Sequence, residues 1–241
     1  MTDPATLSEL LGEVADGATV AIGGAGLQRK PMALVRALAG SGATDLRIVS
    51  YLGSVDVDYL IAAGVVAEVH SAGVGLDGFG LAPAFRSGRQ NGTVGFVEWS
   101  EGSLAAALQA AGLGLGSMPA GTSPESAVAQ VNPHLRVAPD PFTGTPTVFA
   151  AALPVDLCLL HLSALDQAGN GYIAGDAAAD QLLSRAATRT VATADGKIEE
   201  DPARAAIPRL WLCDAAVVDH AAWPTGSHPT SLIDLAAMTR W

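Results

Sequence analysis

The chain has 241 residues, a formal net charge of −11 and 49% hydrophobic residues. That length suits one large domain or two small ones and buries a substantial core. Its two lysines, Lys30 and Lys197, form no basic stripe, which argues against a nucleic-acid partner. No apolar run reaches the length of a membrane span, and MTDPATLSELL lacks a hydrophobic secretion segment, so the expectation is a soluble, cytoplasmic protein with no membrane contact. Cys158 and Cys213 both lie in apolar runs and read as buried, reduced thiols.

In chain order, the pattern predicts a short helix over 7–15 with Ser8 as a candidate cap and Gly17 as its stop. A buried strand follows at 18–24, and then an amphipathic helix at 31–39 with Pro31 in its first turn, where the missing N–H is no loss. Strands at 46–52 and 67–72 flank a helix at 56–64. This β-α-β-α-β alternation implies a parallel sheet covered by helices. A Gly-rich loop (73–83), a helix (84–90), a strand (93–99) and an Ala/Leu-rich helix (100–115, capped by Ser100) come next. The stretch 117–146 is rich in Pro, Gly, Ser and Thr and reads as an irregular excursion with a short strand near 135–138. Apolar strands return at 147–153 and 155–163. A turn entering a short strand at 166–173, a helix at 176–187, a strand at 188–194, a charged loop at 197–204 and a strand-like run at 209–223 complete the pattern. No repeat or linker divides the chain, which reads as one α/β domain over 1–241 with an irregular insertion near 117–146.

The turn GGAGLQRKP joins the first strand to its helix. Gly23, Gly24 and Gly26 let the backbone approach a ligand or take positive φ, and helix N-terminal amides favour an anion. An ordinary strand-to-helix connection without a ligand explains the same pattern. Gly73, Gly75 and Gly78 spell a dinucleotide fingerprint, but Gly80 and Pro83 delay the helix that would carry the pyrophosphate, which argues against that site. The five histidines lack metal-ligand spacing, so no metal is expected; His161, in an apolar strand, reads as a satisfied core or near-site residue. No G-x-S-x-G elbow is present. VEWSEG supplies the best acid/base candidates: Glu98 at the end of a strand read as interior, and Glu101 in the first turn of the next helix. An acid at Glu101 is equally explained by its effect on the helix dipole.

Five stretches in order resemble the alpha subunit of family I CoA-transferases: IGGAGLQRKPMALVRAL, VEWSEGSLAAALQAAGLGL, DLCLLHLSALDQAGNGYIAGD, the AA-x-R-x-V-A-T run at 186–193, and Pro224-x-Gly-x-x-Pro229. RKPMALVRA with VEWSEG is similar to the branch of steroid-ring-cleaving CoA-thioester hydrolases in bacterial cholesterol catabolism. The resemblance implies an open, mostly parallel α/β sheet with helices on both faces, the NagB-RpiA-like fold. It further implies a beta-type partner subunit in a heterodimer or heterotetramer, and an acyl-CoA substrate in steroid or related acid catabolism. Coenzyme A then enters as a substrate moiety, with no permanently bound cofactor. Glu101, with Glu98 as second choice, would do the acid/base work. Gly23, Gly24 and Gly26 would present amides to an oxyanion or carboxylate, and Arg29 or Lys30 would supply charge. Transfer through a partner glutamate and hydrolytic C–C cleavage remain alternatives, as does a non-catalytic scaffold. Three departures stand out: SMPAGTSPESAVAQVNP where the family continues in glycines, ATADG where it has a Thr-Glu pair, and Ala25 where an aromatic is common.

Overall fold

The computed structural model describes residues 4–199 and 201–241. The first half alternates: α1 (Pro4–Leu11), β1 (Thr19–Ala25), α2 (Met32–Ala39), β2 (Leu46–Leu52), α3 (Val55–Ala62), β3 (Val66–Ser71), α4 (Pro83–Asn91), β4 (Gly95–Glu98) and α5 (Glu101–Gly112). Then come β5 (Ser117–Pro119), α6 (Ala127–Val131), β6 (Leu135–Pro139) and β7 (Pro146–Ala151). The chain closes with β8 (Val155–Leu162), β9 (Ala164–Leu165), β10 (Gly171–Tyr172), α7 (Asp180–Ala186), β11 (Ala187–Ala194), β12 (Asp214–Val217) and α8 (Leu235–Thr239).

Seven strands form one sheet in the order β12-β11-β8-β1-β2-β3-β4, and every pairing in it is parallel. Because side chains alternate along a strand, each central strand feeds two cores. Val20, Ile22, Ile48, Val69, Leu157 and Val191 pack with Leu34, Leu38, Val57 and Leu60 of α2 and α3. Ala21, Val49, Cys158, Leu160 and Ala192 face the other way, onto Leu104 and Leu108 of α5 and Leu183 of α7. Helices thus cover both faces. The strand order reverses between β1 and β8, and open sheets of this kind place ligands at the carboxyl ends of the strands.

Several expectations are corrected. The first helix is Pro4–Leu11 and ends at Gly12, whose φ of +63° and N–H to the Ser8 carbonyl (2.9 Å) make it the stop in place of Gly17; Ser8 lies inside the helix. The stretch read as irregular carries β5, α6 and β6, and it recruits β7 into a separate antiparallel sheet ordered β5-β7-β6. The run at 147–153 therefore leaves the main sheet. Of 209–223 only Asp214–Val217 is strand; Arg209–Trp211 is a 3₁₀ turn with Leu210 89% exposed. Cys158 is buried, but Cys213 is exposed. The loop expected at 197–204 includes Glu200, which lies outside the described residues; Pro202–Arg204 forms a 3₁₀ turn.

Candidate active site

The glycine turn at the end of β1 is built by a break in register. Ile22 pairs with Ser50 of β2 and Ala25 with Leu52, so three steps on β1 face two on its neighbour. Gly24 sits at φ +72°, and a Cβ there would lie 2.4 Å from the Gln28 carbonyl oxygen, so only glycine fits. The amides follow a different course from the expected anion cradle. From Gly24 to Lys30 each backbone N–H donates within the chain. Gly24 donates to Asp180 Oδ1 (2.8 Å), Gly26 to the Leu52 carbonyl (3.1 Å), Leu27 to Asp77 Oδ2 (3.3 Å) and Arg29 to the Gly226 carbonyl (2.7 Å). Ala25 and Gln28 bond each other's carbonyls, and Lys30 donates to Thr225 Oγ1. Gly23 and Gly24 are buried, while Gly26 is half-exposed. The hairpin is a closed structural knot.

Arg29 and Lys30 are likewise turned inward. The Arg29 guanidinium reaches Asp180 Oδ2 (2.7 Å) and the carbonyls of His161 (3.2 Å) and Asp176 (2.7 Å), with 4% of its side chain exposed. It thereby fills the crevice between β1 and β8 that the strand order opens. Lys30 Nζ is fully buried between Asp56 Oδ2 (3.0 Å), Ser50 Oγ (3.0 Å) and the Leu52 carbonyl (2.9 Å). Both cations are therefore paired inside the chain rather than aimed at a ligand. Asp180 of α7 and Asp56 of α3, which the sequence reading did not single out, are their counter-ions.

VEWSEG also differs from its reading. β4 is an edge strand, so Glu98 is exposed while its neighbour Trp99 is buried. The backbone carbonyl of Glu98 accepts from Asn132 Nδ2 (2.7 Å), which ties the end of α6 in the insertion to the edge of the main sheet. Glu101 opens α5. Ser100 caps the helix as expected: its Oγ accepts from the Ser103 amide (3.1 Å), and Ser103 Oγ in turn accepts from the Ser100 amide (3.0 Å). The Glu101 side chain is exposed, and its Oε2 accepts from the Tyr51 hydroxyl (3.1 Å) at the carboxyl end of β2. Burial, then the hydrogen bond and charge of Glu101, then the charge of Asp176, push the Tyr51 phenol above the usual tyrosine range.

One wall beside Glu101 comes from the insertion. Ser100 Oγ bonds Thr122 Oγ1, and the Gly121 carbonyl lies 3.1 Å from where a Cβ on Gly102 would stand. Behind this wall Trp99 Nε1 donates to His70 Nδ1 (3.3 Å), His134 stacks on Trp99, and His70 Nε2 meets Glu68 (2.9 Å). Because Nδ1 accepts, the neutral ring carries its proton on Nε2. His161, at the end of β8, is buried as expected and bonds Thr193 through Nδ1 (3.0 Å); its Nε2 stands 3.2 Å from Asp195 Oδ1, outside hydrogen-bond alignment. Tyr51 was missed in the sequence. Its only signal was its place at the end of LRIVSYL, on the edge where parallel sheets carry their chemistry.

A seven-stranded parallel sheet, helices on both faces and an acid held at the carboxyl edge define a doubly wound α/β protein of the kind that binds small ligands there. The Coenzyme A transferase family model matches residues 5–217, and the chain belongs to that family. It is 32% identical over 235 residues to the cholesterol ring-cleaving hydrolase IpdA subunit of Rhodococcus jostii, covering 93% of this chain and 79% of that one. An uncharacterized protein of Archaeoglobus fulgidus is also 32% identical, over 226 residues; the match takes in 91% of this chain and only 49% of the relative's length. Among solved structures, a cysteine-to-serine variant of the decarboxylase AibA/AibB superposes with a TM-score of 0.89 at 31% identity, over 98% of this chain and 90% of the other. Among the described residues no helix is long and apolar enough to cross a membrane.

Proposed function

We propose that this chain is the alpha-type subunit of a heteromeric enzyme acting on an acyl-CoA thioester, with Glu101 as its acid/base. The observation that carries the reading is the Tyr51–Glu101 pair on an open carboxyl edge. The carboxylate is exposed to an incoming substrate, yet one of its oxygens is fixed by a half-buried phenol. A role confined to the helix dipole would need no such partner. Coenzyme A enters as part of the substrate. The names of the relatives favour ring cleavage of a steroid-derived thioester, in which Glu101 takes a proton from water or from the acyl chain. Glu98, on the exposed edge strand, is the weaker candidate. Arg29, Lys30 and the glycine turn shape the edge from beneath.

The test is reconstitution with a beta-type chain of the Coenzyme A transferase family from the same genome. The expected outcome, by the pair and by neither chain alone, is a ring-opened product that has gained one water and still carries its CoA thioester, read by mass spectrometry over a panel of cyclic acyl-CoA substrates; CoA moved to an added acceptor acid is the outcome for transfer. Borohydride after acyl-CoA addition separates the chemistries: no label on a partner glutamate is expected for hydrolysis, whereas a labelled glutamate means transfer. If the pair leaves every acyl-CoA unchanged, with neither ring opening nor CoA transfer, the proposal falls.

A further inference from the structure

Tyr51 carries the reading of Glu101 one step further, and the inference rests on that reading. Tyr51 is the sixth residue of a seven-residue strand, and its ring packs against the core formed by α5 and the sheet. Lodged there, it has little freedom to follow Glu101; the exposed acid must come to it. Its hydroxyl donates to Oε2 at 3.1 Å, and among the described residues no donor reaches Oε1. Without this bond, the first residue of a helix would sample several rotamers in solvent. With it, the carboxylate is held at the carboxyl end of β2, next to the point where Leu52, the residue after Tyr51, accepts from the Gly26 amide through its carbonyl.

We propose that Tyr51 is the positioning residue for Glu101: its hydroxyl occupies Oε2 and leaves Oε1 as the oxygen that takes and returns the proton. The phenol stays a donor throughout and forms no bond to substrate. Burial and the neighbouring carboxylates raise its pKa, which keeps the phenol protonated across the neutral range.

Two measurements test this. In the reconstituted pair, using the thioester that wild type turns over best, Tyr51→Phe keeps the ring and removes one oxygen. It is expected to lower kcat roughly tenfold or more, with KM little changed. The double variant with Glu101→Gln should fall within about twofold of Glu101→Gln alone, since the two groups act as one unit. In the full chain by itself, the phenolate absorbance of Tyr51, isolated by subtracting Tyr51→Phe from wild type, should titrate at lower pH once Glu101→Gln removes the carboxylate. That second readout needs no substrate and is blind to a merely structural loss. A Tyr51 titration unmoved by Glu101→Gln overturns the pairing. Full activity in Tyr51→Phe while Glu101→Gln is slow, or additive losses, overturns the positioning role and leaves Glu101 in place. Full activity in Glu101→Gln overturns the reading of Glu101 and the inference with it.

Discussion

At the scale of single residues, the arginine and lysine that looked most like ligand-binding groups are internal ties. Each is a buried cation whose counter-ion comes from a different element: Asp180 of α7 for Arg29, Asp56 of α3 for Lys30. Truncating one partner leaves an unpaired buried charge, which costs about 3–5 kcal/mol, whereas removing both charges together is far milder. Lys30→Met is therefore expected to lower the urea midpoint sharply, and Lys30→Met with Asp56→Leu to recover most of it; equal loss in both would show that Lys30 does something other than satisfy Asp56. The sequence made these cations visible but not their partners. Asp180 lies 151 positions from Arg29, and no local spacing reports a contact at that range. Glu98 misled for a related reason: whether a strand is interior or at an edge depends on the strand order, which hydrophobic alternation does not encode. Glu101 was legible because Ser100 and the following apolar run mark a helix start from local chemistry alone.

At the scale of elements, α5 links stability to the site. Its cap, Ser100, bonds Ser103 within the helix and Thr122 on the insertion. Ser100→Ala is expected to cost about 1 kcal/mol in chemical denaturation and to lower turnover, because Glu101 is the next residue. No change in either would detach the helix start from the chemistry. The insertion is also seated by the His70–Trp99–His134 cluster. Burial depresses the His70 pKa below its ordinary value of 6.5, only partly opposed by Glu68. The sign follows: the unfolded chain binds the proton first, so stability is lost as pH falls through the ordinary value towards the depressed one. Protonation also removes the acceptor that Trp99 uses. The loss between neutral pH and about pH 5 should shrink in His70→Gln, measured by thermal melts across that range; an unchanged slope would assign it to other groups. The main helices and strands were readable because their periods of 3.6 and 2 run for several turns or steps. The insertion was not, since β5 and α6 span three and five residues between prolines and glycines.

At the scale of the whole molecule, the parallel sheet and its two cores were implied by β/α alternation, and the family by five stretches in order. The place of the site was harder to read. Strand reversal points to the crevice between β1 and β8, yet Arg29 and Asp180 fill it, and the proposed acid, Glu101 of α5, is held by Tyr51 at the end of β2, the strand beyond β1. What is left is an open edge where the exposed Glu101 carboxylate is held by Tyr51; on the proposed reading, a second surface excludes water there and holds the thioester. The most direct test is the turnover number of the reconstituted pair carrying Glu101→Gln, with assembly and melting temperature checked against wild type. The account predicts an intact complex whose kcat falls by roughly a hundredfold or more. An intact complex that turns over at the wild-type rate would contradict it.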